Sequence, residues 1–522
     1  MAETIQNANT ATRAGEIAKF QVIEAKKDAK RWADLSLACV ELSYYEDILS
    51  NSISASATIV ESGLSNSDVG NKKGNKKGYI GFLDGLPVRG GEQVNLIFRD
   101  NQNEPTTLTF RGGRGGKGKE LYVNRVRQIN PGTQREVYTL DLCTRECISN
   151  EQSRVVKRYD GNIARSVVKI LKDALSGTSG IKTPKRIEAD STFSDYNFIG
   201  NDKKPFYICT WLASKAVPVV TKNGKNIIGG SAGFLFFETY DGYKFKSIEN
   251  LFDHKTRRKG NIKKFIYTNT PDLPESGEYD AKILSVDVER DIDLVQNLTM
   301  GTYANNTILF DPVNFDYKHQ AVTVDKNQKD KVENAGTQDV AQDVAPEFTH
   351  FPSRVMSRVL DVGTLPAGIT ADKQLESWFE NKQKPTWEAG QAMAQAAMRY
   401  NQMFTIKLNV TIAGDFSLRA GDLVQCDFPE LTVSDNKGVN YQTGGNYLVA
   451  SLCHRLTPDD CYTRLTLIRA SFGRRTIAAT VNSNDTSAVV PLALNNTAIP
   501  GDYDYRPPSG VSYQGGIPLQ GV

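Results

Sequence analysis

The residue types that do covalent or metal chemistry are present but badly spaced for it. Four histidines are few for a hydrolase of 522 residues. None sits in His-x-x-x-His or His-Glu-x-x-His spacing, the arrangements that put zinc ligands on one helix face. No P-loop occurs, and no Gly-x-Ser-x-Gly nucleophile elbow is expected. The seven cysteines (Cys39, Cys143, Cys147, Cys209, Cys426, Cys453, Cys461) are odd in number, scattered, and without a Cys-x-x-Cys pair, so they read as reduced, mostly buried thiols. Cys143 and Cys147 are expected on one face of one strand. Cys453, His454 and Cys461 would meet as metal ligands only across a hairpin, and adjacent strand residues point to opposite faces, which disfavours that site. Carboxylates pair at Asp459-Asp460 and at Glu41, Glu46 and Asp47, each near a strand end where turns carry acids anyway, and a glycosidase needs such a pair in a cleft. Gly113-Arg-Gly-Gly-Lys-Gly118 has the letters of a dinucleotide loop, but strand-like segments flank it on both sides and that motif needs a helix after it. The pattern is that of a non-enzyme, with no catalytic, metal or cofactor-binding residues and no cofactor expected.

Charge is uneven. The chain carries 63 basic and 60 acidic residues, so no global field points to a nucleic acid or a membrane. Yet residues 71–135 hold thirteen Lys/Arg against five Asp/Glu, including the tandem Gly70-Asn-Lys-Lys-Gly-Asn-Lys-Lys-Gly78. That excess could touch phosphates, but no aromatics interleave with it to stack bases. A solvated lysine loop on a barrel rim is the first reading. No run approaches the eighteen apolar residues of a spanning helix, and Met1–Arg13 lacks the apolar stretch of a signal peptide. At 39% hydrophobic and 24% charged the composition is that of folded protein, and the length implies three or four domains.

The elements divide the chain. Ile53-Ser-Ala-Ser-Ala-Thr-Ile-Val60 alternates apolar and polar, as do Val94, Leu96 and Phe98, and further strands fit Leu108–Phe110, Glu120–Ile129 and Arg135–Cys143. Helical spacing follows at Ile163–Leu175, with Asp160 as N-cap and Gly177 as stop, and again at Pro205–Ser214. Gly233–Tyr240 and Tyr243–Ser247 spell a hairpin turning at Asp241-Gly242. Strand-like pieces at Thr307–Phe310 and Gln320–Val324 precede a polar loop at Lys326–His350. Helical spacing returns at Leu375–Phe379 and Glu388–Tyr400, then alternation from Phe404 to Ile412 and strands at Leu423–Phe428, Tyr447–Cys453 and Tyr462–Arg469. Pro491–Val522 holds five Pro and five Gly with almost no charge, the composition of an arm that cannot fold alone.

Three stretches in order carry a resemblance: Leu42-Ser-Tyr-Tyr-Glu-Asp-Ile-Leu-Ser50, Ile53–Ser62 and Gly85-Leu-Pro-Val-Arg-Gly-Gly-Glu-Gln-Val94. Together they resemble the opening of the baseplate hub protein of contractile-tailed bacteriophages, a family with tail tube-like domains. Leu418-Arg-Ala-Gly-Asp-Leu-Val424, Gly445–His454 and Tyr462–Arg469 look like its second barrel. The resemblance implies an α+β, mainly β fold with two tail-tube-like antiparallel β-barrels, an inserted α+β domain, a helical/loop segment and an extended C-terminal arm. The layout would be an N-terminal extension at 1–33, a first barrel at 34–149, the α+β domain at 150–285 and a second barrel at 286–325 and 400–472. A loop and helical insertion at 326–399 and the arm at 473–522 complete it.

It also implies a homotrimer in which two barrels per chain make a pseudo-hexameric ring. That ring would join the tail tube protein to the central spike protein, within baseplate wedge proteins. DNA would pass only in transit and no stable membrane association is implied. The place would be the virion tail baseplate, built in the host cytoplasm. The residues expected at the assembly interface are Tyr44, Tyr45, Glu46 and Asp47 beside the first strand pair and Gly421 and Asp422 at the corresponding turn of the second, with turn chemistry inside a barrel as the alternative. A tail-associated peptidoglycan hydrolase and a DNA-binding channel protein remain the alternatives in function.

Overall fold

The computed structural model describes residues 14–25, 31–62, 68–71, 82–86, 88–102, 104–112, 118–132, 135–172, 181–193, 196–222, 225–228, 230–253, 262–267, 281–290, 293–311, 315–323, 338–339, 344, 346–349, 351–359, 389–429, 440 and 443–472. Most of the Gly70–Gly78 repeat, residues 113–117 of the glycine loop, the helix expected at Leu375–Phe379, most of the 326–350 loop and the 473–522 arm lie outside them.

Nine strands build the first barrel: β1 (Glu16–Ile23), β2 (Arg31–Asp34), β3 (Cys39–Asp47), β4 (Ser54–Ser62), β5 (Asp68–Asn71), β6 (Gln93–Arg99), β7 (Thr107–Phe110), β8 (Leu121–Pro131) and β9 (Arg135–Thr144). The alternation does what period two demands. Ala55, Ala57 and Ile59 of β4 are buried, while Ser54 is exposed and Ser56 and Thr58 lie partly open on the other face. β1 corrects the layout read from sequence. Residues 16–23 are not an extension but a barrel strand, paired antiparallel with β6 and β2. A register shift between Ile17 and Lys19 breaks the alternation that would have announced it.

An α+β insert follows, with α1 (Arg145–Gln152), α2 (Ile163–Lys172), β10 (Ile187–Ala189), α3 (Pro205–Ala213) and the hairpin β11 (Phe234–Thr239) and β12 (Gly242–Ser247). Several sequence expectations shift by a residue or two. The helix at 163 takes its cap from Asn162, whose Oδ1 accepts from the Ala164 N–H at 3.0 Å, while Asp160 pairs with Arg158. The hairpin turns at Tyr240-Asp241, and Gly242 opens β12 at φ 131°, packed against the Arg186 carbonyl where no Cβ fits. Cys147 lies on α1, not on the strand that holds Cys143.

The second barrel has six strands: β13 (Lys263–Ile266), β14 (Ile283–Arg290), β18 (Ile406–Ala413), β19 (Leu423–Asp427), β20 (Gly445–Leu456) and β21 (Cys461–Arg469). The intervening β15 (Ala304–Asp311), β16 (Asp316–Thr323) and β17 (Arg354–Val359) form a sheet of their own in the order β16-β15-β17. This corrects the placing of 304–323 in the second barrel, because those strands find their partner at 354–359. Helix α4 (Leu294–Met300) precedes them, and α5 (Ala389–Gln402) sends Ala392 and Ala396 into the core of the insert.

The two barrels are one sheet. All fifteen strands connect, along the path β14-β18-β21-β20-β3-β4-β9-β8-β6-β1-β2-β5, with β7 on β6, β19 on β20 and β13 on β19. A single apolar cluster runs under both, from Phe20 and Phe98 to Leu408 and Leu467. β3 is the joint, paired antiparallel with β4 on one side and with β20 on the other.

Candidate assembly seam between the barrels

Register across the joint decides where the Tyr-Tyr-Glu-Asp run goes. Leu42, Tyr44 and Glu46 stand opposite Leu456, His454 and Leu452, and Ser43, Tyr45 and Asp47 opposite Arg455, Cys453 and Ser451. The first set faces the core, and Tyr44 and Glu46 are 0% and 2% exposed. The second set lies on the opposite face, where Tyr45 is 41% exposed.

Glu46 ties three parts of the chain together. Its Oε1 accepts from the Tyr44 hydroxyl and from the Tyr240 backbone N–H, both at 2.7 Å, and its Oε2 accepts from the Ala420 N–H at 3.0 Å. These donors come from the first barrel, the tip of the insert hairpin and the turn before β19. Burial pushes the Glu46 pKa up, and the Arg419 charge and the three hydrogen bonds only partly offset it. Arg419 is fixed in turn by the Phe416 and Leu418 carbonyls at 2.6 and 2.8 Å, and faces Asp241 at 3.4 Å.

The hairpin tip plugs the end of the shared core. The Tyr240 ring meets Phe110 edge-on at 5.4 Å, Lys119 Nζ sits 3.3 Å over it, and its hydroxyl accepts from the Thr109 N–H at 3.0 Å. His454 stacks parallel to Tyr44 at 5.8 Å and packs on Phe416 at 4.6 Å, with Nδ1 2.9 Å from the Thr463 hydroxyl. Burial, and then the Arg419 charge, hold its pKa well below the usual imidazole range. Gly421 takes φ 86°, and a Cβ there would stand 2.9 Å from the Phe237 ring. The Asp422 carboxylate accepts from the Arg419 N–H at 2.9 Å, and the Val449 N–H donates to the Asp422 carbonyl at 2.8 Å.

A second node holds the insert to the first barrel. Glu238 accepts from the Ile53 N–H and the Thr144 hydroxyl, both at 3.1 Å, and from Lys185 at 2.5 Å. Lys185 also reaches Glu146 at 2.8 Å, and Thr183 donates to Glu146 at 2.8 Å. Burial opposes ionisation of all three charged groups. For Lys185 the two carboxylates win and its pKa is raised; for Glu146 its cationic and hydroxyl partners win and its pKa is lowered. For Glu238 burial wins and its pKa is raised. Against the second barrel the insert packs Leu235, Phe237 and Leu251 on Leu423, Leu448 and Ile468, beside the ion pair of Asp241 with Arg419.

Of the six residues expected at an assembly interface, the structure therefore brings Tyr44, Glu46, Gly421 and Asp422 into one intrachain seam, and turns Tyr45 and Asp47 outward. Sequence reasoning missed Glu238, Lys185 and Tyr240. Their one signal was a lone carboxylate closing the apolar run Phe234-Leu-Phe-Phe-Glu238. The expectation that no Gly-x-Ser-x-Gly nucleophile elbow occurs is corrected, since Gly229-Gly-Ser-Ala-Gly233 has those letters. That elbow requires a helix after the serine, whereas here strand β11 follows, and the buried Ser231 hydroxyl donates to Glu249 at 2.5 Å. Among the described residues no cluster of three or more His, Cys, Asp or Glu could hold a metal, and no helix is long and apolar enough to cross a membrane.

The face of the sheet that carries Tyr45 is polar across both barrels. One row runs Ser285, Thr411, Arg464, Cys453, Tyr45, Ser54, and a second runs Asp287, Asn409, Thr466, Ser451, Asp47. A groove of about 570 Å³ opens here between β14 and β3. Several charges on this face are matched within it, Arg455 with Glu41 at 2.9 Å, Arg127 with Asp141 at 2.8 Å and Lys407 with Glu289 at 3.9 Å.

Fold and seam define a mainly β chain of two barrels fused edge to edge and wedged by an insert. No family model and no curated protein matches the sequence. Solved structures similar to it include tail proteins and a secretion-system component. The 43 kDa tail protein of prophage MuSo2 from Shewanella oneidensis is 8% identical over 86% of this chain and 98% of its own, at a TM-score of 0.41. The tail protein from Neisseria meningitidis MC58 is 11% identical over 87% and 96%, at 0.42. A component of the Escherichia coli type VI secretion system is 8% identical over 83% and 75%, at 0.33. Likenesses this loose carry no correspondence between individual residues.

Proposed function

We propose that the chain is a structural, non-enzymatic subunit of the baseplate of a contractile phage tail or related injection machine. In this reading three copies close a hub ring between the tail tube and the central spike, among the wedge proteins. The observation that carries it is the fusion of two barrels into one sheet with an unbroken polar face. Two barrels per chain in a three-fold ring present six similar units to a six-fold tube and three repeats to a three-fold spike. A polar wall with several of its charges matched within it would let DNA and protein pass without binding. Tyr45 and Asp47 would line that wall, while Tyr44, Glu46, Gly421 and Asp422 would serve assembly indirectly by fixing how the barrels join. Light scattering on the purified chain tests the ring: three times the 57.7 kDa chain mass is expected, and a strict monomer overturns it.

The basic excess over 71–135 favours one second reading, a channel protein that binds DNA. A salt-dependent gel shift with duplex DNA would support it, and absence of binding at low salt would remove it.

A further inference from the structure

Exposed apolar side chains collect on the small sheet. Of the twenty-one large apolar residues that are exposed among the described residues, ten lie between Leu294 and Val359, around β15, β16 and β17. Register sorts the two faces of that sheet. Asn305 and Thr307 share one face with Val322 and Met356, and α5 covers it through Ala394 and Met398. The other face carries Phe310, Tyr317 and Val359 side by side, 41%, 61% and 65% exposed, with Val355 further along β17. On this face Asn306 is 8% exposed, and its Oδ1 finds no donor among the described residues. β17 is also a free edge, paired in parallel with β15 and with no other described strand. Along it Arg354 and Arg358 take the positions of the covered face, no acid occurs from 351 to 359, and neither arginine has an ion pair among the described residues. The acids of this sheet, Asp311 and Asp316, stand opposite each other at the hairpin end of β15 and β16. An apolar face beside an unpaired, basic strand edge marks a docking surface.

We infer that β17 takes an added strand from a partner protein, an extended segment that alternates apolar and acidic residues. Main-chain hydrogen bonds to the free edge seat it, its apolar side chains extend the face of Val355 and Val359, and its carboxylates stand beside Arg354 and Arg358 on the other face. Charge selects this occupant over a second copy. Two β17 strands paired antiparallel would gather four arginines on one face, and like charges opposite one another destabilise a sheet. A nucleic acid or an anionic lipid would need cations on the open face, where β17 carries Val355, Ser357 and Val359 instead. The contact lies off the fifteen-stranded sheet, so it stands apart from the ring and holds whether or not the ring forms.

The test is fluorescence anisotropy of labelled probes against the full chain. The probes are a short peptide of alternating valine and glutamate, its valine–lysine counterpart, and the valine–glutamate peptide N-methylated throughout. The first should bind about tenfold or more tightly than either of the others. Arg358→Glu should reverse the preference toward the lysine probe, and Val359→Asp should weaken binding of the glutamate probe by about tenfold. Tyr207→Asp, on an exposed residue of α3, should bind as wild type does. Arg358 is exposed, so its variant keeps wild-type circular dichroism and decides the matter even where Val359→Asp does not fold. Equal binding of the two charged probes, binding of the N-methylated probe, or binding of none overturns the added strand. If Arg358→Glu lowers the particle mass of the chain in mass photometry, the edge holds a second copy and the partner strand is likewise overturned.

Discussion

The two barrels share a sheet and a core but are not finished alike. The first has nine strands and ends the sheet path on β5; the second has six and ends it on β14, where a single parallel bridge joins Lys282 to Ile266 of β13. The insert grips them differently too, the first through the buried Lys185, Glu146 and Glu238 network and the second through Phe237, Leu235 and Leu251. Two barrels of one plan thus carry different burdens. The two share one apolar core, and the insert adds buried charge against the first and a second apolar cluster against the second.

That asymmetry can be broken in order of size. Lys185→Met should cost about 3–5 kcal/mol, because it strands two buried carboxylates, and it should loosen the insert from the first barrel. Urea unfolding measures it, and a loss below about 1 kcal/mol would mean the network is no anchor. Glu46→Ala should cost roughly 2–4 kcal/mol by leaving the Tyr240 and Ala420 N–H groups without an acceptor, and Glu46→Gln clearly less, since one oxygen remains. Equal losses for the two would show that packing, not hydrogen bonding, joins the barrels there. Gly421→Ala should cost about 1–3 kcal/mol from its left-handed φ and the Phe237 ring, read as a lower thermal midpoint.

The smallest expected effect is in pH. The folded pKa of His454 is depressed, so below the ordinary value of 6.5 the unfolded chain binds a proton that the folded chain refuses. The stability His454 protects is present above that pH and lost as pH falls, by at most about 1.4 kcal/mol per pH unit. Glu46 and Glu238 act in the opposite sense. Their folded pKa values are raised, so above 4.5 the fold holds protons the unfolded chain has released, and stability falls as pH rises through their folded values. His454→Asn should flatten only the imidazole limb in denaturation curves taken between pH 7 and 5. An unchanged limb would place the acid sensitivity elsewhere.

Much of the barrel fold was legible because most strands bury one face, so Ile53–Val60 and Phe404–Ile412 announce themselves by alternation. β1 hid behind its bulge between Ile17 and Lys19. β15 and β16 were recognisable as strands, but alternation does not encode a partner, so their pairing with each other and with β17 was not readable. The seam was half legible for the same reason. Tyr44 through Asp47 stood out, and period two separates them, yet nothing local says that β20 lies alongside or that a hairpin some 190 residues away donates to Glu46.

Electron microscopy of the purified, unmodified chain tests the central claim most directly. The account predicts closed three-copy rings whose inner wall shows six similar barrel units around an open channel. Particles no larger than one chain, or rings whose channel wall is not the polar face bearing Tyr45 and Asp47, would contradict it.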